Sequence, residues 1–209
     1  MTPIAALLAG SSLAASFPGA APEYRKIEMR IPMRDGVRLN TQVYVPLDAD
    51  RDRPILLERT PYSAGPYGTR TNPPSPDDPY AIAKYVIVTQ DVRGRYDSEG
   101  DFVPWDHETD DGFDTLEWLG QQPWCDGNVG MSGGSYLGQV QWQAAFTGHP
   151  LLKAIAPRVM GNNLWDSPHY QNGAFGLGVN AVWGWRTMAR TMQRIDRMDW
   201  PTVLRTLPP

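Results

Sequence analysis

The sequence predicts an α/β fold built on a mostly parallel sheet. Three observations carry this: short runs that are apolar on both faces recur along the chain, helical patterns separate some of them, and a pair of alternating strands opens the series. Residues 26–32 read as the first strand. In the second, Val37, Leu39, Thr41, Val43 and Val45 fall on one face and Arg38, Asn40, Gln42 and Tyr44 on the other, a period of two. Met33-Arg34-Asp35-Gly36 between them is a hairpin signal, so this pair is antiparallel, and Pro46 stops the second strand. The later runs at 54–59, 85–90, 129–132 and 154–156 read as buried parallel strands. Phe113, Leu116 and Leu119 recur every three residues within 110–122, and 136–146 has no Gly or Pro after Gly138, so both predict helices. Strands alternating with helices imply crossover connections. Residues 62–79 are rich in Pro, Gly, Ser and Asn and read as a long surface loop, of the length that is often functional. From Trp165 onward the texture turns aromatic. Residues 173–185 and 187–198 read as helices with no strand between them, the start of a helical insertion.

A chain of 209 residues with 41% hydrophobic content supports one sizeable core and the start of a second unit. The expected units are a leader over 1–24, the α/β domain over 25–160 and the insertion over 161–209. The net charge of −4 is spread along the chain and leaves no basic stripe for nucleic acid. Cys125 is the only cysteine, which excludes a disulfide within the chain and a cysteine metal site. His107, His149 and His169 show no ligand spacing, so neither a metal nor a cofactor is expected. The first 22 residues carry no charged side chain and are only mildly apolar. They read as a disordered leader, with export as the alternative, and are too short and broken to span a bilayer. Compartment and oligomeric state stay open.

The chemistry points to Ser135. It lies in Gly133-Gly134-Ser135-Tyr136-Leu137-Gly138, between a short apolar strand and a helix. A serine there sits on a tight, strained turn. Gly133 lets strand and helix approach, and Gly138 does the same on the helix side. The turn lifts the hydroxyl above the sheet and puts the next backbone N–H at a helix N-terminus, where it can bind a developing oxyanion. The usual nucleophile elbow is Gly-x-Ser-x-Gly, whereas here the second glycine comes one place late. Ser132 is the poorer candidate because it is still on the strand.

The stretch from Cys125 to Gly138, with Met33 to Leu39, Gln90-Asp91-Val92-Arg93-Gly94, Ser98-Glu99-Gly100 and Leu152 to Pro157, resembles the CocE/NonD hydrolases. This is the group of bacterial cocaine esterase, related to X-Pro dipeptidyl-peptidases and α-amino-acid ester hydrolases. Its elbow is Gly-x-Ser-Tyr-x-Gly, as here. The resemblance runs from about Glu28 to about Trp185. It implies an α/β-hydrolase fold, with an incomplete sheet and the start of a helical cap insertion. It also implies a serine hydrolase acting on a small-molecule ester or amide through an acyl-enzyme, with no nucleic-acid or membrane partner. Ser135 would be the nucleophile. The oxyanion donors would be the Tyr136 N–H and, from Arg59-Thr60-Pro61-Tyr62, the Tyr62 hydroxyl. Read without the resemblance, Tyr62 is a loop ring packed on the core. Asp91, Arg93 and Cys125 are expected to be structural.

In this fold the acid and the histidine follow the serine. His149 stands at the far end of the nucleophile helix, roughly 20 Å away at about 1.5 Å per residue. His169 lies in the insertion, with only Asp166 as an acid between it and Ser135. The resemblance places both partners on later strands, followed by a jelly-roll domain. The sequence is therefore expected to be a truncated copy lacking the Asp and His of the triad. The alternative is a non-catalytic α/β binding or regulatory remnant. Ser167-Pro168 stand where the family's amino-acid ester hydrolases carry an acid, so a preference for α-amino-acid esters is not expected. Trp165, Phe175 and Trp183, with Trp185, are candidates for an apolar acyl pocket, the alternative being the core of the insertion.

Overall fold

The computed structural model describes residues 24–47, 52–75, 78–161, 163, 167, 169–195 and 198–206. The leader lies outside them apart from Tyr24, and so do Trp165 and Asp166. The strands are β1 (Tyr24–Pro32), β2 (Arg38–Pro46), β3 (Arg53–Thr60), β4 (Val86–Asp91), β5 (Cys125–Gly134), β6 (Leu152–Arg158), β7 (Tyr170–Gln171) and β8 (Ala174–Phe175). The helices are α1 (Pro79–Ile82), α2 (Glu108–Gly120), α3 (Tyr136–Phe146), α4 (Leu177–Thr187) and α5 (Trp200–Thr206).

Six strands form one sheet in the order β1-β2-β4-β3-β5-β6. The opening hairpin is antiparallel, with Tyr24 opposite Pro46 and Pro32 opposite Arg38. Its turn is closed by Met33 N donating to Val37 O at 2.8 Å, with Gly36 at φ 89°. β2 also runs antiparallel to β4, while β4, β3, β5 and β6 are mutually parallel. Both faces of β2 are buried. Thr41, Val43 and Val45 face the helices. On the opposite face, the Tyr44 hydroxyl accepts from Asn72 N at 2.9 Å and Asn40 N donates to Ser98 Oγ at 2.8 Å. The long loop after β3 therefore covers part of the second face, where Asn40 Nδ2 donates to Asp91 Oδ2 at 3.2 Å, whereas the buried Gln42 amide has no hydrogen-bond partner among the described residues and Arg38 is exposed.

The main core lies between the sheet and α2 and α3. Ile55, Leu57, Val88, Val129 and Met131 meet Leu116, Leu119, Val140 and Ala144, all of them buried. Each side chain of this size contributes about 1.5–3 kcal/mol when fully buried. The topology also decides where a ligand fits. The chain leaves β3 for β4 on one side, whereas it leaves β5 for β6 on the other. The C-terminal ends of β3 and β5 are neighbours whose connections diverge. Such a switch point opens a crevice above the sheet.

Beyond β6 the structure departs from the helical expectation. Residues 170–175 form a two-stranded antiparallel hairpin, and α4 starts only at Leu177. Thr187 ends α4, and residues 188–195 are not helical. Their backbone is strapped to the loop after β4 instead: Tyr96 N donates to Arg190 O at 2.8 Å, and Arg190 Nη1 donates to Ser98 O at 2.6 Å. The helix there is α5, which starts after Asp199. Asp199 Oδ1 accepts from Thr202 N at 3.3 Å, and Pro201 sits in the first turn, where its missing N–H costs nothing. The loop after β3 ends in a single helical turn, α1, capped by Asp78.

A buried charge cluster ties α2 and α3 to the end of β3. The Arg59 guanidinium is fully buried, with Nη1 2.8 Å from Glu108 Oε2 and Nε donating to Gln90 Oε1 at 2.8 Å. Glu108 Oε1 accepts from the Tyr136 hydroxyl at 2.7 Å. Burial pushes the Glu108 carboxyl above its ordinary value, while Arg59 and the tyrosine hydroxyl pull it back. Removing one partner of such a pair leaves a buried charge unpaired. Glu108→Ala should therefore cost about 3–5 kcal/mol in urea unfolding. A loss below about 1 kcal/mol would show that the cluster is not holding the three elements together.

Candidate active site

Ser135 stands between β5 and α3 with φ 58° and ψ −124°, a conformation that few non-glycine residues adopt. The surroundings impose it. Ser135 N donates to Arg158 O at 2.8 Å, and Ser135 O accepts from Gly138 N at 2.9 Å. Gly133, at φ 131°, faces Leu137 so closely that a Cβ there would lie 2.5 Å from the leucine Cβ. Gly138 sits where a Cβ would come 3.0 Å from Arg158 O, which lets α3 close on β6. Ser132 remains on β5 and is occupied, donating to Glu58 Oε1 at 2.9 Å.

Tyr136 is the first residue of α3, where a backbone N–H has no intrahelical acceptor. Among the described residues no other group accepts from it. Its ring is clamped: the hydroxyl is held by Glu108 and accepts from Trp105 N at 3.1 Å. Burial, first, and then the Glu108 charge push that phenol far above its ordinary value, so it stays protonated.

Tyr62 follows β3 on the neighbouring strand end and is fixed at three points. Its N–H donates to Thr60 Oγ1 at 3.0 Å, its carbonyl accepts from the Tyr96 hydroxyl at 2.9 Å, and its own hydroxyl oxygen accepts from Trp183 Nε1 at 3.1 Å. An indole nitrogen only donates. The hydroxyl hydrogen of Tyr62 is therefore free to donate elsewhere. Arg95 adds a fourth hold. It is fully buried, donates to Pro61 O at 2.7 Å and to the Thr187 carbonyl, and so joins the start of this loop to the end of α4.

These groups line one pocket of about 340 Å³, with Ser135, Tyr136, Tyr62, Trp105, Met160, His169 and Trp183 among its walls. Trp105, Tyr136 and Trp183 are near-parallel rings, with centroids 5.5, 5.8 and 6.2 Å apart. Of the aromatic candidates, Trp183 is in the pocket. Phe175 is not: it is 55% exposed on the small hairpin and packs on Tyr170. Trp185 pairs with Trp200. Trp165 lies outside the described residues. His149 Nε2 is 2.7 Å from Glu117 Oε1, at the far end of α3. Trp105 and His169 carried no periodic signal. One lies in an irregular loop and the other just before a two-residue strand, so only the fold brings them to Ser135.

Asp91 and Arg93 serve separate networks. Arg93 bonds Asp111 and Asp35, each at 2.6 Å. Asp91 anchors the loop just beyond Tyr62, accepting from Ala64 N at 2.7 Å, Asn40 Nδ2 at 3.2 Å and the Tyr67 hydroxyl at 3.0 Å. Burial outweighs these bonds and pushes its carboxyl up to about 6. Cys125 is half-buried at the start of β5, and its Sγ accepts from Gly127 N at 3.4 Å. No helix among the described residues is long and apolar enough to cross a membrane.

Parallel strands crossed by helices, with a serine raised on the turn at the switch point, define an α/β-hydrolase fold. The family model described as X-Pro dipeptidyl-peptidase (S15 family) matches residues 35–205, and the chain belongs to that family of hydrolases. It is 44% identical over 169 residues to the cocaine esterase of Rhodococcus sp. (strain MB1 Bresler), covering 81% of this chain and 29% of that protein. Among solved structures it is similar to an α-amino acid ester hydrolase, with a TM-score of 0.69 and 32% identity over 90% of this chain and 34% of that one. It is also similar to an aminopeptidase from a marine sediment archaeon (Thaumarchaeota archaeon), with a TM-score of 0.68 and 29% identity over 91% of this chain and 34% of that one. The chain thus spans about a third of the length of these relatives.

Glycine tolerates the Ser135 backbone and alanine does not, so Ser135→Gly should be more stable than Ser135→Ala by about 1 kcal/mol. Equal stability would mean that the turn is unstrained. Asp91 binds its proton more tightly when folded than its ordinary carboxyl value of 3.8 would allow. Its contribution is therefore most favourable below about pH 4 and is lost as the pH rises to about 6. Asp91→Asn should flatten the fall in stability across that window. An unchanged slope would assign it to other groups.

Proposed function

We propose that this chain carries the nucleophile and the oxyanion site of a serine hydrolase acting on carboxylic esters or amides. One observation supports this above the others: the free N–H of Tyr136 and the unspent hydroxyl hydrogen of Tyr62 line the same pocket as a serine held in a strained turn. Ser135 Oγ attacks the carbonyl carbon and its proton passes to a base. The carbonyl oxygen takes up the negative charge between the two donors. Collapse of this intermediate expels the alcohol or amine and leaves an acyl group on Oγ, which water then removes. A neutral serine hydroxyl is a weak nucleophile, so the reaction depends on that base.

The described histidines offer no hydrogen bond to Ser135. His149 is held by Glu117, and His107 Nε2 lies 3.3 Å from Asp106. The proposal therefore takes the acid and the base from later strands, as the relatives' greater length allows. The preorganised donors explain why Tyr136 and Tyr62 are each fixed by several bonds. Donors that need no reorganisation as charge develops are worth most in a dry site.

The test is turnover of p-nitrophenyl esters by the full-length protein. Ser135→Ala should abolish it. Tyr62→Phe should lower kcat by roughly 10²–10³ with the fold intact, the usual loss for one oxyanion donor. Turnover that survives Ser135→Ala would refute the nucleophile. A Tyr62→Phe loss below about threefold would reduce Tyr62 to packing.

A further inference from the structure

We infer that His169 is a specificity-determining hydrogen-bond acceptor in the Ser135 pocket, and that it selects substrates whose apolar acyl group carries an uncharged donor such as a hydroxyl. The inference rests on the proposed serine chemistry for the word substrate, but its binding argument stands without turnover.

The acceptor follows from the bonds around Asn180, in the first turn of α4. Asn180 Nδ2 donates to His169 O at 3.0 Å and to Gly176 O at 2.9 Å. Carbonyl oxygens only accept, so both amide hydrogens are used and the amide orientation is fixed. The atom facing the imidazole is then an oxygen, Asn180 Oδ1, at 2.7 Å from His169 Nδ1. In the neutral ring the proton must sit on Nδ1, which leaves Nε2 with a lone pair. Among the described residues Nε2 has no partner, and Ser135 does not bond to it. The backbone is locked as well: Gly176 N donates to His169 O at 2.9 Å and His169 N donates to Ser167 Oγ at 3.1 Å. The ring stands edge-on to Trp105 at 5.4 Å. A held imidazole with an open acceptor therefore borders the same pocket as the nucleophile and the aromatic wall. An apolar acyl group suits Trp105 and Trp183, while Nε2 needs a donor. The acceptor is neutral and the described walls around it are largely aromatic and apolar, which suits an uncharged donor such as a hydroxyl.

The test measures binding to the full-length protein at pH 8 by tryptophan fluorescence, which Trp105 and Trp183 report. The probes are phenylacetamide, mandelamide and 4-hydroxyphenylacetamide, which differ in the presence and place of one hydroxyl. One hydroxylated probe should bind at least about tenfold tighter than phenylacetamide, the size of one good hydrogen bond. His169→Phe should bind the hydroxylated and plain probes alike, and an unchanged circular dichroism spectrum shows that the variant is folded. Asn180→Leu, which frees the tautomer, should weaken the advantage. Equal binding of all three probes, or an advantage that survives His169→Phe, would overturn the inference. Loss of ester turnover in Ser135→Ala reads the serine chemistry and probe binding by the unaltered protein reads the acceptor, so a failure of one is distinguishable from a failure of the other. If His169→Phe lowered ester turnover equally for substrates with and without the hydroxyl, His169 would be acting on the reaction itself and the specificity role would fall.

Discussion

The buried pair of Arg59 and Glu108 is the interaction on which the site depends. Each charge is costly in the interior without its partner. Together they fix three elements: Arg59 ends β3, Glu108 begins α2, and Glu108 takes the hydroxyl of the first residue of α3. The pair thus sets where α3 begins relative to the strand that delivers Tyr62. The backbone N–H of Tyr136 is aimed by a contact at the other end of its own side chain.

Topology does the rest. Because the connections from β3 and β5 diverge, the two strand ends are adjacent and uncovered. Tyr62 leaves one and Ser135 the other. The strain at Ser135 is held by ordinary means, namely a carbonyl from β6, a glycine facing Leu137 and another against Arg158. α4 and the hairpin before it then close the pocket, contributing Trp183 to Tyr62 and His169 to the open side. Arg95 holds the end of α4 to the loop that carries Tyr62.

The parallel strands were readable because strands buried on both faces are continuous apolar runs, α2 because its apolar residues recur every three positions, and α3 because its stretch lacks Gly and Pro beyond the first turn. The turn at Ser135 was readable because it demands glycines at fixed offsets. Tyr62 was reached only by resemblance, since a tyrosine in a Pro- and Gly-rich loop looks like a packed ring. The segment after β6 was misread. Aromatic residues and a lack of strand pattern suggest helix over 187–198, but residues 188–195 are non-helical and Arg190 bonds to a distant loop, which no local period records. Asp199 and Pro201 did mark the true helix start. The roles of Glu108, Trp105 and His169 depend on contacts made across the fold, and nothing in their own neighbourhoods announces them.

In the proposed chemistry, one oxygen above Ser135 is gripped by two donors from adjacent strand ends. A crystal structure of the full-length protein inhibited by an aryl phosphonate tests it most directly. Phosphorus should be bonded to Ser135 Oγ, with one phosphonyl oxygen within about 2.7–3.2 Å of both Tyr136 N and Tyr62 Oη. An adduct on another residue, or one whose oxygens turn away from Tyr62, would contradict the account.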